Sequence, residues 1–302
     1  MRKLYFLAVF LFASVLSAQT LQEFSALLQA NDTIGQQELL KKWKKKGVND
    51  PDYYVAAFNY NVNKGMVNGV GFRDEPEGEE YLEMVNTEDS TQVFYMVDER
   101  FYEKDYINEA LIVITAGIEK FPDRLDMRFG KIHVLGEAEN YDAFTKEVIK
   151  VIDYSYKINN KWKWIGGELM DNGKDFMLEN VQAYTAKLYD TNNDDLLVNM
   201  VQISETVLKY YHDSVESLSN LGVVSVINED FKTALQCFLK AESYREDDII
   251  VLANIANLYV REKDYDNAEK YYGKIAKYGN DEDVAFAHDA IRQIQELKKE
   301  KK

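Results

Sequence analysis

The sequence predicts an all-α fold: a solenoid of stacked helical hairpins, with one segment, near residues 65–97, that also reads as a small β-hairpin insertion. Three observations carry this. Leu218, Leu221, Gly222, Asp230, Phe231, Ala234, Phe238 and Lys240 return 34 residues later as Leu252, Ile255, Ala256, Asp264, Tyr265, Ala268, Tyr272 and Lys274, and the pattern begins again at Phe286 and Ala290. A constant interval of this size marks units that bury their apolar faces only against their neighbours. One period also holds two helices of about 12 to 15 residues and two short turns. Finally, only three prolines occur in 302 residues, so few helices are interrupted.

Residues 1–18 read as a targeting segment. Arg2 and Lys3 precede an apolar run at 4–16, and Ser17-Ala18 offers a small-residue cleavage site before Gln19. The run of 13 residues is shorter than the roughly 20 that span a bilayer. An uncleaved anchor is the competing reading. No cysteine follows the run, which excludes lipid attachment at a new N-terminal thiol. The expectation is an exported protein, periplasmic or secreted, with no integral membrane segment after cleavage.

Residues 19–91 form an irregular helical region. Helices are expected over 21–28, 34–46 and 53–63, with Pro51 just ahead of the third. In the second, Leu39, Leu40 and Trp43 turn inward and the lysines of the run at 41–46 ring the opposite side. Gly65, Gly69, Gly71, Pro76 and Gly78 then break any helical period. The apolar runs at 81–85 and 92–97, separated by a polar turn, pair as a hairpin in one reading. In the other, the second run opens the next helical repeat.

Repeat-like helices are expected over 92–280. Gly222 and Ala256 on the first helix of a pair, with Ala234 and Ala268 on the second, sit where the paired helices press closest. Phe238 and Tyr272 are expected to fill the gap between hairpins. Asp230 and Asp264 are expected to cap the second helices. An interruption at 159–175, rich in glycine and holding Trp162 and Trp164, reads as an elaborated connection. Residues 281–302 read as a capping helix with Phe286, Ala290, Ile294 and Leu297 inward and a lysine-rich end that suits the helix dipole.

Counted from Val215 and Ile249, Leu218, Leu221, Gly222, Ala234, Phe238 and Ala241, then Leu252, Ile255, Ala256, Tyr259, Ala268 and Tyr272, match the signature positions of the tetratricopeptide repeat (TPR) family. The chain resembles that family over its last third, and more loosely back to residue 92. Ser225, Glu246 and Asn280 depart from it, where the family prefers an aromatic and then proline. Upstream, Ala110, Ile114, Gly117 and Pro122 hold positions of a degraded unit, and 125–138 with 141–152, then 176–188 with 196–211, read as further hairpins. The stretch from Arg124 to Gly130 resembles exported repeat proteins of Gram-negative bacteria, a likeness that brings no activity with it.

The resemblance implies a concave face lined by the first helix of each pair, and a protein or peptide partner. By position that face presents Ser219, Val223, Val226 and Ile227, then Ala253, Asn257, Val260 and Arg261. The family's carboxylate clamp needs lysines where Glu216, Ser219, Ile250 and Ala253 stand here. Asn254 and Asn257 alone resemble it, so recognition of a chain-terminal carboxylate is disfavoured.

Composition narrows the partner further. The formal charge is −16, and loss of the leader removes two basic and no acidic residues, leaving −18. Such a field repels phosphate backbones, so nucleic acid is not expected. Cys237 is the single cysteine, which rules out an internal disulfide, and a buried, inert sulfur is expected.

Catalytic and metal signatures are thin, and neither catalytic residues, metal nor cofactor are expected. His133, His212 and His288 are widely separated, and His133 with Glu137 lacks the second histidine of a zinc helix. No phosphate-binding loop or nucleophile elbow occurs, and Gly69-Val-Gly71 reads as a turn. Asp190, Asn192 and Asp194 imitate the start of a calcium loop, but Asp195 replaces its glycine and Val201 its bidentate glutamate. The acidic stretch at 74–80 reads as a loop. The alternative function is a helical-solenoid enzyme or carbohydrate-binding protein that uses carboxylates with Trp162 and Trp164 as a stacking platform.

Overall fold

The computed structural model describes residues 20–46, 49–73, 81–85 and 92–300. The leader at 1–18 and the acidic stretch at 74–80 lie outside the described residues. The chain divides into two compact units, the first running to Asn140 with Lys161–Gly173 added, the second comprising Tyr141–Asn160 and everything from Lys174.

The first unit holds helices α1 (residues 20–29), α2 (Thr33–Lys46), α3 (Pro51–Gly65), α4 (Lys104–Lys120) and α5 (Leu125–Glu137), with strands β1 (Met66–Arg73), β2 (Tyr81–Val85) and β3 (Val93–Tyr102) between α3 and α4. The apolar stripe of α2 turns inward as its spacing requires: Leu39, Leu40 and Trp43 are buried, while Lys41, Lys42, Lys44 and Lys45 are exposed. The Trp43 indole donates to Asp50 at 2.9 Å, and the same carboxylate accepts the Asp52 amide, capping α3 ahead of Pro51. Tyr54, Phe58, Ile107 and Ile114 centre the core against which α3 and α4 pack.

The sheet is antiparallel in the order β1-β3-β2. Tyr81 pairs with Val97 and Val85 with Val93, the hairpin reading of 81–97. The segment at 93–102 is therefore strand, and the next helix starts at Lys104. The strand β1 was hidden by its glycines. A β-carbon on Gly71 would meet the Glu99 carboxylate, and one on Gly69 would lie 2.6 Å from the Phe101 ring, so these glycines make room for side chains of β3 instead of ending the strand. Alternation along the strands places Val70, Leu82, Met84, Phe94 and Met96 on one face, the first four of them exposed.

The connection at 161–172 lies against α3 and α5. Lys163 pairs as a β-bridge with Arg124 and with Leu169. Beneath it the Arg124 guanidinium, 1% exposed, bonds Asp52 at 2.7 Å and Asp126 at 2.6 Å. Gly166 and Gly167 turn the chain with positive φ.

The second unit contains α6 (Tyr141–Lys157), α7 (Gly173–Asp190), α8 (Leu197–Tyr210), α9 (Val215–Ile227), α10 (Phe231–Tyr244), α11 (Ile249–Arg261), α12 (Tyr265–Tyr278) and α13 (Asp281–Glu300). From α8 onward each helix packs on the next, the serial stacking that the 34-residue period requires. The caps repeat at the same interval. Ser214 accepts the Ser217 amide and Asp248 that of Val251; Asp230 accepts from Thr233 and Asp264 from Asn267. Before each second helix one residue, Glu229 or Lys263, takes φ of 60° to reverse the chain. The core runs through Leu218, Phe238, Leu252, Ile255, Tyr272 and Ile275.

The Phe238 ring closes on Gly222 of its own hairpin and lies in one core with Leu252 and Ile255 of the next. Two details differ from the sequence reading. On α13, Ala287 and Ile294 are buried while Phe286 and Leu297 are 52% and 41% exposed, because the last helix has one neighbour and a narrower apolar stripe suffices. Cys237 is half-buried, not fully buried, and burial pushes its thiol above the usual range, which disfavours the nucleophilic thiolate.

Candidate partner-binding groove

The first helices of the stacked pairs carry the face of interest. Between α7 and α9 opens a cavity of about 460 Å³. Lys174, Asp175, Glu179 and Gln182 line it from α7, and Glu216 and Ser217 from the start of α9. α7 turns an i, i+3, i+4 stripe toward the opening, so one element presents Asp175, Glu179 and Gln182 together, while α9 contributes only its first turn. Val181, Thr185 and Val207, all buried, also line it.

Side-chain pairs fix its walls. Gln182 and Asn220 exchange amide hydrogen bonds of 3.3 and 2.8 Å, joining α7 to α9. Arg245 donates to Glu216 at 2.8 Å and to Asp248 at 3.2 Å; the bond from Glu216 holds its guanidinium above the usual range. Tyr211 donates to the Asn160 carbonyl at 2.6 Å, and burial raises its phenol, which keeps the ring neutral. The Lys174 ammonium lies 5.6 Å from the centre of that ring. Four carboxylates, Asp175, Glu179, Asp213 and Glu216, thus face two cations, of which Arg245 is already bound to one of them.

The positions expected on the concave face are distributed differently. Ser219, Val223 and Val226 on α9 are half-buried, and the two valines, with Val260 on α11, pack against the core. Asn254 donates to the Ile250 carbonyl one turn earlier, and Asn257 accepts the Tyr272 hydroxyl at 2.7 Å. Arg261 lies with its guanidinium carbon 3.7 Å from the centre of the Phe231 ring. Ile227 is 38% exposed and lines a separate cavity at the far end of α9. Of the residues lining the polar groove, only Glu216 was singled out by the repeat register. Just over half of the others come from α7, whose repeat signature is too degraded to number, and the rest from α8, the turn before α9, the start of α9 and Arg245.

Trp162 and Trp164 do not form a stacking platform. Trp162 is fully buried, with the Arg128 guanidinium 5.6 Å from its ring centre, and Trp164 packs edge-on against Phe129 at 6.3 Å. The connection folds them inward because two indoles bury more area than any side chain nearby. Among the described residues no three His, Cys, Asp or Glu side chains gather as metal ligands, and no helix is long and apolar enough to cross a membrane. Asn193, which lies between the calcium-like positions, caps the short turn Asp194–Leu196 by accepting the Asp195 amide.

Residues 250–278, nearly all of α11 and α12, match the model of the tetratricopeptide repeat family. The α11–α12 pair is a tetratricopeptide repeat. The α9–α10 pair holds the same small, aromatic and capping positions one period earlier. No curated protein matches the sequence. Similar solved structures include the assembly chaperone of RpL4 (Acl4), at 9% identity and a TM-score of 0.40 over 94% of this chain and 98% of that one. A tetratricopeptide repeat protein from Parabacteroides merdae is 12% identical with a TM-score of 0.38, covering 94% and 88%. YrrB, a TPR protein with an unusual peptide-binding site, is 14% identical with a TM-score of 0.38, covering 61% and 84%.

Proposed function

We propose that this chain is an exported, non-catalytic adaptor that holds a protein or peptide partner along the first-helix face of its second unit. The observation that carries this is the polar groove between α7 and α9. Its walls are locked by Gln182–Asn220 and Arg245–Glu216, while Asp175, Glu179 and Asp213 are exposed. Fixed walls with open polar groups bind at low ordering cost. A tetratricopeptide repeat supplies the stacked helices that such a face needs. Export rests on the basic start, apolar run and small-residue site of residues 1–18.

By position the partner face runs on from the groove over Ser219, Val223 and Val226 to Asn254, Asn257, Val260 and Arg261, with the exposed Asn257 and Arg261 nearest to a partner, while Ile227 belongs to the separate cavity at the far end of α9. A photo-crosslinking amino acid placed at Glu179 tests this in cells of the source organism. Crosslinks to one defined partner, absent when the probe stands at Lys240, are expected. Equal products from both positions would defeat the reading. Cleavage at Ala18 in the mature protein, read by N-terminal sequencing, tests export separately.

A further inference from the structure

The second unit holds another cavity, at the opposite end of α9 from the polar groove. It measures about 440 Å³ and lies where the first turn of α8 meets the last turn of α9. Leu197, Val198 and Val201 from α8 and Val224 and Ile227 from α9 give it aliphatic walls, and Asn228 adds one polar side chain at the end of α9. Val198 is 55% and Ile227 38% exposed, so two branched side chains stand open to water at one mouth. Asp194 and Asp195 are the only charged residues lining it, both exposed, and no described side chain pairs with either carboxylate.

We propose that this pocket is a second binding site, one that takes an aliphatic or aromatic side chain adjoining a lysine or arginine in a partner peptide. Charge complementarity selects that occupant. The apolar walls reward burial of a hydrocarbon side chain, while two unneutralised carboxylates at the rim, in a chain of net charge −16, attract a flanking cation and repel an acidic segment. A helix N-terminus favours acidic residues in any protein, which accounts for Asp194 and Asp195 singly. It does not account for aliphatic side chains left open beside them. A metal ion is a poor fit, since two carboxylates without a third ligand leave its shell incomplete. The site is independent of the polar groove: α9 has 13 residues, which at 1.5 Å each sets its ends about 20 Å apart.

The test uses the full mature chain and a fluorescein-labelled octapeptide in which leucine is flanked by lysines, followed by anisotropy at low salt. Two control peptides replace the lysines with glutamate or the leucine with glycine. The lysine–leucine peptide is expected to bind about tenfold tighter than either control, a margin matching loss of one buried aliphatic side chain. Val198→Ser with Ile227→Ser should weaken it about tenfold. Asp194→Asn with Asp195→Asn should weaken it and flatten its salt dependence. Glu179→Lys, in the polar groove, should leave it within about twofold, which separates failure here from failure of the adaptor reading. The four pocket residues tested are exposed, and circular dichroism melts check that each variant folds. Binding of all three peptides alike, binding unchanged in both double variants, or concentration-dependent dimerisation that blocks the pocket would each overturn the proposal.

Discussion

Phe238 lies directly across Gly222, so that a β-carbon added to the glycine would come within 2.6 Å of the ring. The ring is fully buried and has no room to withdraw. Gly222→Ala gains up to about 1 kcal/mol of helix propensity, but overfilling a packed contact costs roughly 1 to 3 kcal/mol. The net expectation is a lower melting temperature, with Gly222→Val lower still. The next repeat carries Ala256 at the same position, fully buried, so Ala256→Gly should be destabilising there by loss of helix propensity and of a packed methyl group. Thermal melts of the three variants check the contrast.

Ala268 is fully buried at the contact between α11 and α12. Ala268→Leu should overfill it and cost roughly 1 to 3 kcal/mol. Chemical denaturation that showed no loss would place the α11–α12 contact elsewhere.

Arg124 is held beneath the connection at 161–172 between Asp52 and Asp126. Removing one partner of a buried ionic cluster leaves the others uncompensated, which costs about 3 to 5 kcal/mol. Arg124→Ala should therefore destabilise the first unit by that order. The double change Arg124→Met with Asp52→Leu should recover part of the loss. Urea titrations of the single and double variants measure both.

Asp230 caps α10, and the hydroxyl and amide of Thr233 hold its carboxyl below the usual carboxylate range. A depressed acid contributes stability above its unfolded value, and that contribution fades as pH falls through the folded one. Asp230→Ala should lower the melting temperature at neutral pH. The difference from wild type should close as pH drops below about 4. A gap that persisted in acid would mean the cap is not ionic.

Much of the second unit was legible because its constraints are local and repeated. Asp230 and Asp264 announce caps, and Gly222 and Ala256 announce close approach, from side-chain identity and interval alone. β1 was not legible, since the reason for Gly69 and Gly71 is the set of β3 side chains lying over them, and nothing nearby in the chain states that. The fate of Trp162 was likewise set by Arg128 and a folded connection, not by its neighbours in sequence. At the groove, spacing marked Glu216 but not Asp175, Glu179 or Gln182. Those belong to a helix whose apolar positions no longer follow the repeat, so only the packing of α7 beside α9 brings them together.

Cys237 is half-sheltered, and its burial disfavours the thiolate, which bears on how the chain would withstand an oxidant. A solitary accessible thiolate in oxidising surroundings would couple copies of the chain covalently or trap small thiols. A disfavoured thiolate slows such coupling, and a single change at that position yields a thiol-free background onto which chemical labels can be installed wherever they are wanted.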